Sequence, residues 1–126
     1  MSKQIVQTDK APAPIGPYNQ AIRANGFLFV SGQVAIVPET GALETGTIQT
    51  ETHQVMKNIQ AILEEAKLDF SHIVKTTIFL SDMNLFASVN EIYGSYFTGA
   101  YPARETVAVK GLPKGVNVEI SVIAVG

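Results

Sequence analysis

No cysteine occurs anywhere in this chain, so disulfides, thiolate nucleophiles and sulfur-ligated zinc are excluded from the outset. Histidine is almost as scarce, His53 and His72 being the only two. His53 lies in a helical stretch with no histidine or glutamate at ligand spacing, and the acidic residues form no cluster, so no metal site is expected. The glycines make no dinucleotide- or phosphate-binding loop, and Ser71-His72 lacks the setting of a nucleophile elbow. Basic charge is lacking too. Nine Lys and Arg against eleven Asp and Glu leave a net charge of -2 and a pI near 5.6. The cations are scattered singly and make no stripe for a phosphate backbone, so nucleic acid is not an expected partner. No apolar run approaches the roughly 18 residues of a membrane helix. The stretch from Met1 to Thr8 has no long apolar core either, so no membrane partner is expected and the cytosol is the expected location.

What the chain does have is apolar residues in regular patterns. With 46% hydrophobic residues over 126 positions, one domain spanning residues 1–126 can bury a core. Lys3 to Gln7 suits a short edge strand, and the prolines between Lys10 and Tyr18 stiffen the loop that follows. Gln20 to Ala24 and Phe27 to Ser31 suit strands, and Asn25-Gly26 between them signals a two-residue hairpin. A second hairpin is expected to turn at Pro38 to Gly41. From Thr47 to Leu68, Val55, Met56, Ile59, Ile62, Leu63 and Ala66 recur at helical spacing, with Lys57, Gln60, Glu64 and Glu65 elsewhere.

Ile73 to Leu80 is rich in β-branched residues and reads as a strand. Asp82 or Asn84 then caps a second helix carrying Phe86, Val89, Tyr93 and Phe97, which stops before Tyr101-Pro102. Arg104 to Lys110 and Val116 to Val125 form the last two strands, joined by a turn through Gly111 to Gly115. The order predicts an α+β fold with a mixed sheet and two helices on one face. Alternation places Val107 and Val109 with Val118, Ile120, Val122 and Ala124 on an apolar face. Arg104, Thr106, Ala108, Asn117, Glu119, Ser121 and Ile123 fall on the opposite, mixed face, for which no helix remains; a subunit interface is the favoured cover.

Several residues invite a chemical reading. Arg104 follows Pro102-Ala103 and carries a guanidinium able to grip a carboxylate through two parallel hydrogen bonds, though a structural ion pair needs nothing more. Glu119 sits mid-strand, where a carboxylate needs a partner if covered. If Lys110 faces Asn117 across a hairpin, Ala108 faces Glu119 and Ile123 faces Arg104; the two charged residues then share a pocket only where its walls come from different subunits. Asn90 brings an amide to the apolar side of the second helix, for a structural hydrogen bond or a ligand. Ser31-Gly32-Gln33 exposes backbone amides at a strand end, suited to an anion or an ordinary bend. Tyr18 is a held phenol or a packing residue. Lys75 is expected to be paired or solvated rather than a Schiff-base lysine.

Taken in order, Ile15-Gly16-Pro17-Tyr18, Ser31-Gly32-Gln33, Val74-Lys75-Thr76-Thr77, Val89-Asn90, Pro102-Ala103-Arg104, Leu112-Pro113-Lys114 and Val118-Glu119-Ile120 closely resemble the RidA/YjgF family of imine deaminases, over nearly the whole chain. The resemblance implies a fold like that of the bacillus-type chorismate mutase, assembled as a homotrimer with sheets inward, helices outward and a pocket at each subunit boundary. It implies a cofactor-independent 2-iminobutanoate/2-iminopropanoate deaminase, hydrolysing enamine and imine products of pyridoxal-phosphate dehydratases to 2-oxo acids and ammonia. The residue matching Arg104 holds the substrate carboxylate, and those matching Tyr18, Ser31, Gly32, Asn90, Thr106 and Glu119 line the pocket, Thr106 chiefly through its backbone amide. Glu119 is the expected base for the attacking water. Two residues depart from the pattern: Glu105 replaces a small hydroxyl residue and is expected to point to the other face, and Thr106 stands where many members have cysteine. An endoribonuclease or translation inhibitor, and a non-catalytic metabolite-binding protein, are the alternatives the family carries.

Overall fold

The computed structural model describes residues 2–126. Strands β1 (Gln4–Val6), β2 (Ala21–Ala24) and β3 (Phe27–Gln33) lead into helix α1 (Ile48–Glu65). Strand β4 (Ile73–Leu80), helix α2 (Phe86–Gly94), β5 (Ala103–Ala108) and β6 (Val118–Val125) complete the chain. The expected α+β layout holds: one six-stranded mixed sheet in the order β1-β2-β3-β6-β4-β5, with both helices packed into one core on one face.

Local chemistry accounts for most boundaries. Asn25 and Gly26 both take positive φ, 53° and 80°, the conformation a two-residue hairpin requires. Thr47 accepts from the Thr50 amide while the Thr50 hydroxyl accepts from the Thr47 amide, a reciprocal cap that starts α1. Val55, Met56, Ile59, Ile62 and Leu63 are buried, as the helical spacing predicts. Asp82 caps a short 3-10 turn, Met83–Leu85, that leads into α2; that helix ends at Gly94, leaving Phe97 just beyond it. The second expected hairpin is reduced to one bridge, Ile36 to Leu43, around Gly41.

The largest correction concerns the last two strands, which form no hairpin. β5 runs parallel to β4 at the sheet edge, and β6 lies antiparallel between β3 and β4. A parallel return needs a crossover, and α2 supplies it. Residues 109–117, including the 3-10 turn Pro113–Gly115, then carry the chain past the end of β4. The expected pairings of Lys110 with Asn117, Ala108 with Glu119 and Arg104 with Ile123 therefore do not exist.

The faces change accordingly. Arg104, Thr106 and Ala108 stand beside Thr76, Ile78 and Leu80 on the helix-bearing face. Glu119, Ser121 and Ile123 stand beside Phe79, Thr77 and Lys75 on the open face. Val107, expected with the core residues Val118, Ile120, Val122 and Ala124, registers instead with Phe79 on the open face and is 44% exposed. Glu105 does point away from Arg104 and pairs with Lys75 at 2.9 Å, so Lys75 is an ion-paired lysine. Phe27, Phe29, Val107 and Val125 are exposed on this open face around the ion pair.

Candidate functional site

Two clefts, one on either side of the sheet, divide the expected site residues other than Thr106 between them. The larger, about 560 Å³, is lined by Tyr18, Ser31, Gly32, Lys114 and Glu119 together with apolar residues that include Ile15 and Val34. The smaller, about 420 Å³, is lined by Asn90, Tyr93, Gly94, Tyr101, Pro102 and Arg104.

Beside β3 and β6, the walls of the larger cleft are loop backbone held by buried polar side chains. Gln20, 2% exposed, donates to the carbonyls of Thr8, Ala11 and Pro12 and accepts from the Thr8 amide, pinning the proline-stiffened loop. Asn58, on α1, donates to the carbonyls of Val34 and Ile36. The Ser31 hydroxyl donates to the Asn19 carbonyl at 2.6 Å, tying the end of β3 to the loop carrying Tyr18. Tyr18 is half exposed, and its hydroxyl accepts weakly from the Ile15 amide at 3.4 Å. The phenol faces the cleft and packs into no core.

Gly32 sits where the pairing of β3 with β6 slips between Val30 and Gln33. A Cβ added there would stand 2.8 Å from the Glu119 carboxyl carbon and from its Oε2, so only glycine lets that carboxylate lie against the strand. Partial burial pushes the Glu119 carboxyl above its ordinary value by desolvation. Gly32→Ala is accordingly expected to swing Glu119 away from β3 while costing no more than about 1 kcal/mol, because a half-buried side-chain end can move aside. A crystal structure and a melting curve of the variant check both parts.

Arg104 in the smaller cleft is exposed because β5 is an edge strand that only α2 overhangs. Its Nη1 donates to Asn90 Oδ1 at 2.6 Å, and its guanidinium lies over the rings of Phe86 and Tyr93, 5.5 and 5.3 Å from their centroids. The Tyr93 hydroxyl in turn donates to Thr76 at 2.9 Å. Desolvation pushes the Tyr93 phenol up, opposed by the Thr76 hydrogen bond and by the charge of Arg104. Cation–π contact and one short hydrogen bond thus orient the planar fork. No carboxylate lies within ion-pair distance of Arg104 among the described residues. Thr106 is two residues further along the same face, its hydroxyl oxygen buried without a partner.

The structure brings Arg104 and Asn90 together, and separately Tyr18, Ser31, Gly32 and Glu119. It does not bring these two groups together within the chain, because β5 and β6 present them on opposite faces. Sequence reasoning missed Phe86 and Tyr93 as the ring surface beneath Arg104, Lys114 as the cation of the larger cleft, and the anchors Gln20, Asn58 and Glu51. For Asn58 and Glu51 a signal exists: both are polar residues on the apolar stripe of α1, Glu51 four positions before Val55.

The small α+β scaffold thus holds an oriented guanidinium in one open cleft and a partly desolvated carboxylate in another. The chain belongs to the RidA/YjgF family: residues 8–126 match the family model described as Endoribonuclease L-PSP. It is 47% identical over 123 residues to the 2-iminobutanoate/2-iminopropanoate deaminase of Mus musculus, covering 98% of this chain and 91% of that one. A Yersinia pestis protein of the conserved Rid family superposes with a TM-score of 0.97 at 50% identity, covering 99% and 100% of the two chains. Escherichia coli TdcF, solved with bound serine, superposes with a TM-score of 0.93 at 38% identity and 98% coverage of both. Among the described residues no helix is long and apolar enough to cross a membrane.

Proposed function

We propose that the protein hydrolyses 2-imino acids such as 2-iminobutanoate and 2-iminopropanoate to 2-oxo acids and ammonia, in pockets where the Arg104 cleft of one subunit meets the Glu119 cleft of the next. The observation that carries this reading is Arg104, a guanidinium oriented by Asn90, Phe86 and Tyr93 yet without a carboxylate partner among the described residues. A bound amino acid in one relative and the deaminase name of another support it.

In this reading Arg104 takes the substrate carboxylate in a two-point grip, with the Thr106 amide beside it. Glu119, ionised, accepts a proton from water as the water oxygen bonds to the imine carbon and the C=N π pair moves onto nitrogen. The carboxyl then returns that proton to the amine nitrogen, the C–N bond breaks, and the hydroxyl proton leaves with ammonia as ammonium. Iminium plus water yields 2-oxo acid plus ammonium, with no redox change and no cofactor. Ser31 and Gly32 border the path of the water, and Tyr18 closes the cleft. Imine generated in situ from threonine by a dehydratase should decay faster with the protein present, with stoichiometric ammonia release; unchanged decay would refute the activity. The word endoribonuclease in the family description has less support here, since the chain has a net charge of -2 and no basic stripe.

The open sheet face supports a homotrimer, because exposed Phe27, Phe29, Val107 and Val125 need a partner surface. Light scattering is expected to give three times the chain mass. Phe29→Glu, which puts a charge into that face, is expected to shift the mass toward the monomer and to remove activity with it. A trimeric Phe29→Glu protein would argue for another interface.

A further inference from the structure

Glu51 has no part in the mechanism above, yet it is a carboxylate with 0% exposure. Its carboxylate has no cationic partner among the described residues and is instead held by three N–H donors. Oε2 accepts from the Asn117 amide at 2.8 Å and the Val118 amide at 3.1 Å, and Oε1 accepts from Asn117 Nδ2 at 2.9 Å. These contacts bind α1 to the first residues of β6, immediately before Glu119. The reason lies in the sheet: β3 follows β6 only as far as the Gln33 to Ile120 pair, so the backbone at Asn117 and Val118 has no β3 ladder to join. Ser81, just past the end of β4, grips the same point from the other side: its amide donates to the Asn117 carbonyl at 3.0 Å and its hydroxyl to Asn117 Oδ1 at 3.1 Å. A buried carboxylate meets its desolvation cost only when its hydrogen bonds are complete, so it fixes the position of whatever donates to it.

The geometry points to Glu51 as a positioning residue: it replaces the missing β3 ladder, fixes the Asn117–Val118 peptide, and thereby sets where the Glu119 carboxyl stands in its cleft. This rests on the deaminase reading insofar as Glu119 is the base, but the placement of Glu119 can be measured without turnover. The chemistry required of Glu51 is an acceptor of the right length. Glutamine meets that requirement, because its Oε1 can take both backbone amides. The Asn117 side-chain amide then turns over so that its oxygen accepts from the new Nε2, and its nitrogen donates to Ser81 Oγ. Aspartate keeps the charge but is one methylene short, so it must draw the peptide toward α1 or release it.

The test compares the parent with Glu51→Gln and Glu51→Asp by NMR titration of the Glu119 carboxyl carbon and by kcat and KM for a 2-imino acid. Glu51→Gln is expected to leave the titration and kcat unchanged within about twofold. Glu51→Asp is expected to shift the midpoint of Glu119 and to lower kcat about tenfold at unchanged KM, since small misplacements of a catalytic group cost turnover more than binding. A residue that only stabilises the fold would move the melting temperature and neither of these. A folded Glu51→Asp trimer with parental titration and kcat overturns the proposal. Should the aspartate variant not fold, Glu51→Gln decides: parental behaviour supports the acceptor role, and lowered kcat in a folded protein overturns it. If the parent has no imine hydrolysis but Glu51→Asp still moves the Glu119 midpoint, the positioning role stands and the deaminase reading falls.

Discussion

Arg104→Ala is expected to lower kcat/KM for a 2-imino acid by about 10² to 10³-fold, equivalent to roughly 3 to 4 kcal/mol, the usual cost of truncating one partner of a desolvated charge pair. Its melting temperature should stay close to the parent's, because the side chain is exposed on an edge strand and its hydrogen bond to Asn90 is a surface one. Arg104→Lys keeps the charge but loses the planar fork that Phe86, Tyr93 and Asn90 hold in place, so it should recover binding more than turnover. Binding of a stable 2-oxo acid, measured beside imine decay, separates the two effects. An Arg104→Ala protein that binds the 2-oxo acid and hydrolyses the imine as well as the parent would remove the carboxylate clamp from the mechanism.

Glu119→Gln is expected to act on the other half of the reaction. The amide can hydrogen-bond the water but cannot accept its proton, so kcat should fall by about 10² to 10⁴-fold, the range that general acid–base catalysis supplies, with 2-oxo acid binding retained. The pH dependence has a definite sign. The base form is the ionised one, and desolvation holds the Glu119 carboxyl above its ordinary value. Parental kcat should therefore decline as pH falls through that raised value, at a pH higher than an exposed glutamate would give. In stability the same shift works the other way. A carboxyl whose folded value exceeds its unfolded one favours the fold below the unfolded value and loses that contribution as pH rises through the folded one. Glu119→Gln should thus melt no lower than the parent at neutral pH, although its activity is nearly gone.

Much of the fold is legible in the residues alone. The apolar stripe from Val55 to Leu63, the Asn25-Gly26 turn and the alternation within β6 each follow from local rules, and the structure bears out all three. The position of β6 between β3 and β4 does not follow, because alternation sets which residues of one strand share a face but not which strand lies beside it. That one ambiguity put Arg104 and Glu119 on a common face, when both are referred to β4 through Thr76 and Phe79, an odd number of residues apart. Individual site residues stand out by type and by family pattern. Their surroundings do not: the rings beneath Arg104, the close approach of Glu119 to Gly32 and the grip of Glu51 on Asn117 all join residues distant in the chain. Glu51 and Asn58 lie on the apolar stripe of α1, so their burial is readable although their partners are not.

A pocket shared between subunits is tested most directly by mixing variants. Arg104→Ala and Glu119→Gln, each nearly inactive, should regain activity when denatured together and refolded as mixed trimers. A boundary that draws its arginine from one variant and its glutamate from the other has both native groups, and random mixing of equal amounts makes about a quarter of the boundaries of that kind. Activity near a quarter of the parent's is the predicted result. Mixed trimers whose subunit exchange is verified by mass, but which stay as inactive as the separate variants, would contradict it.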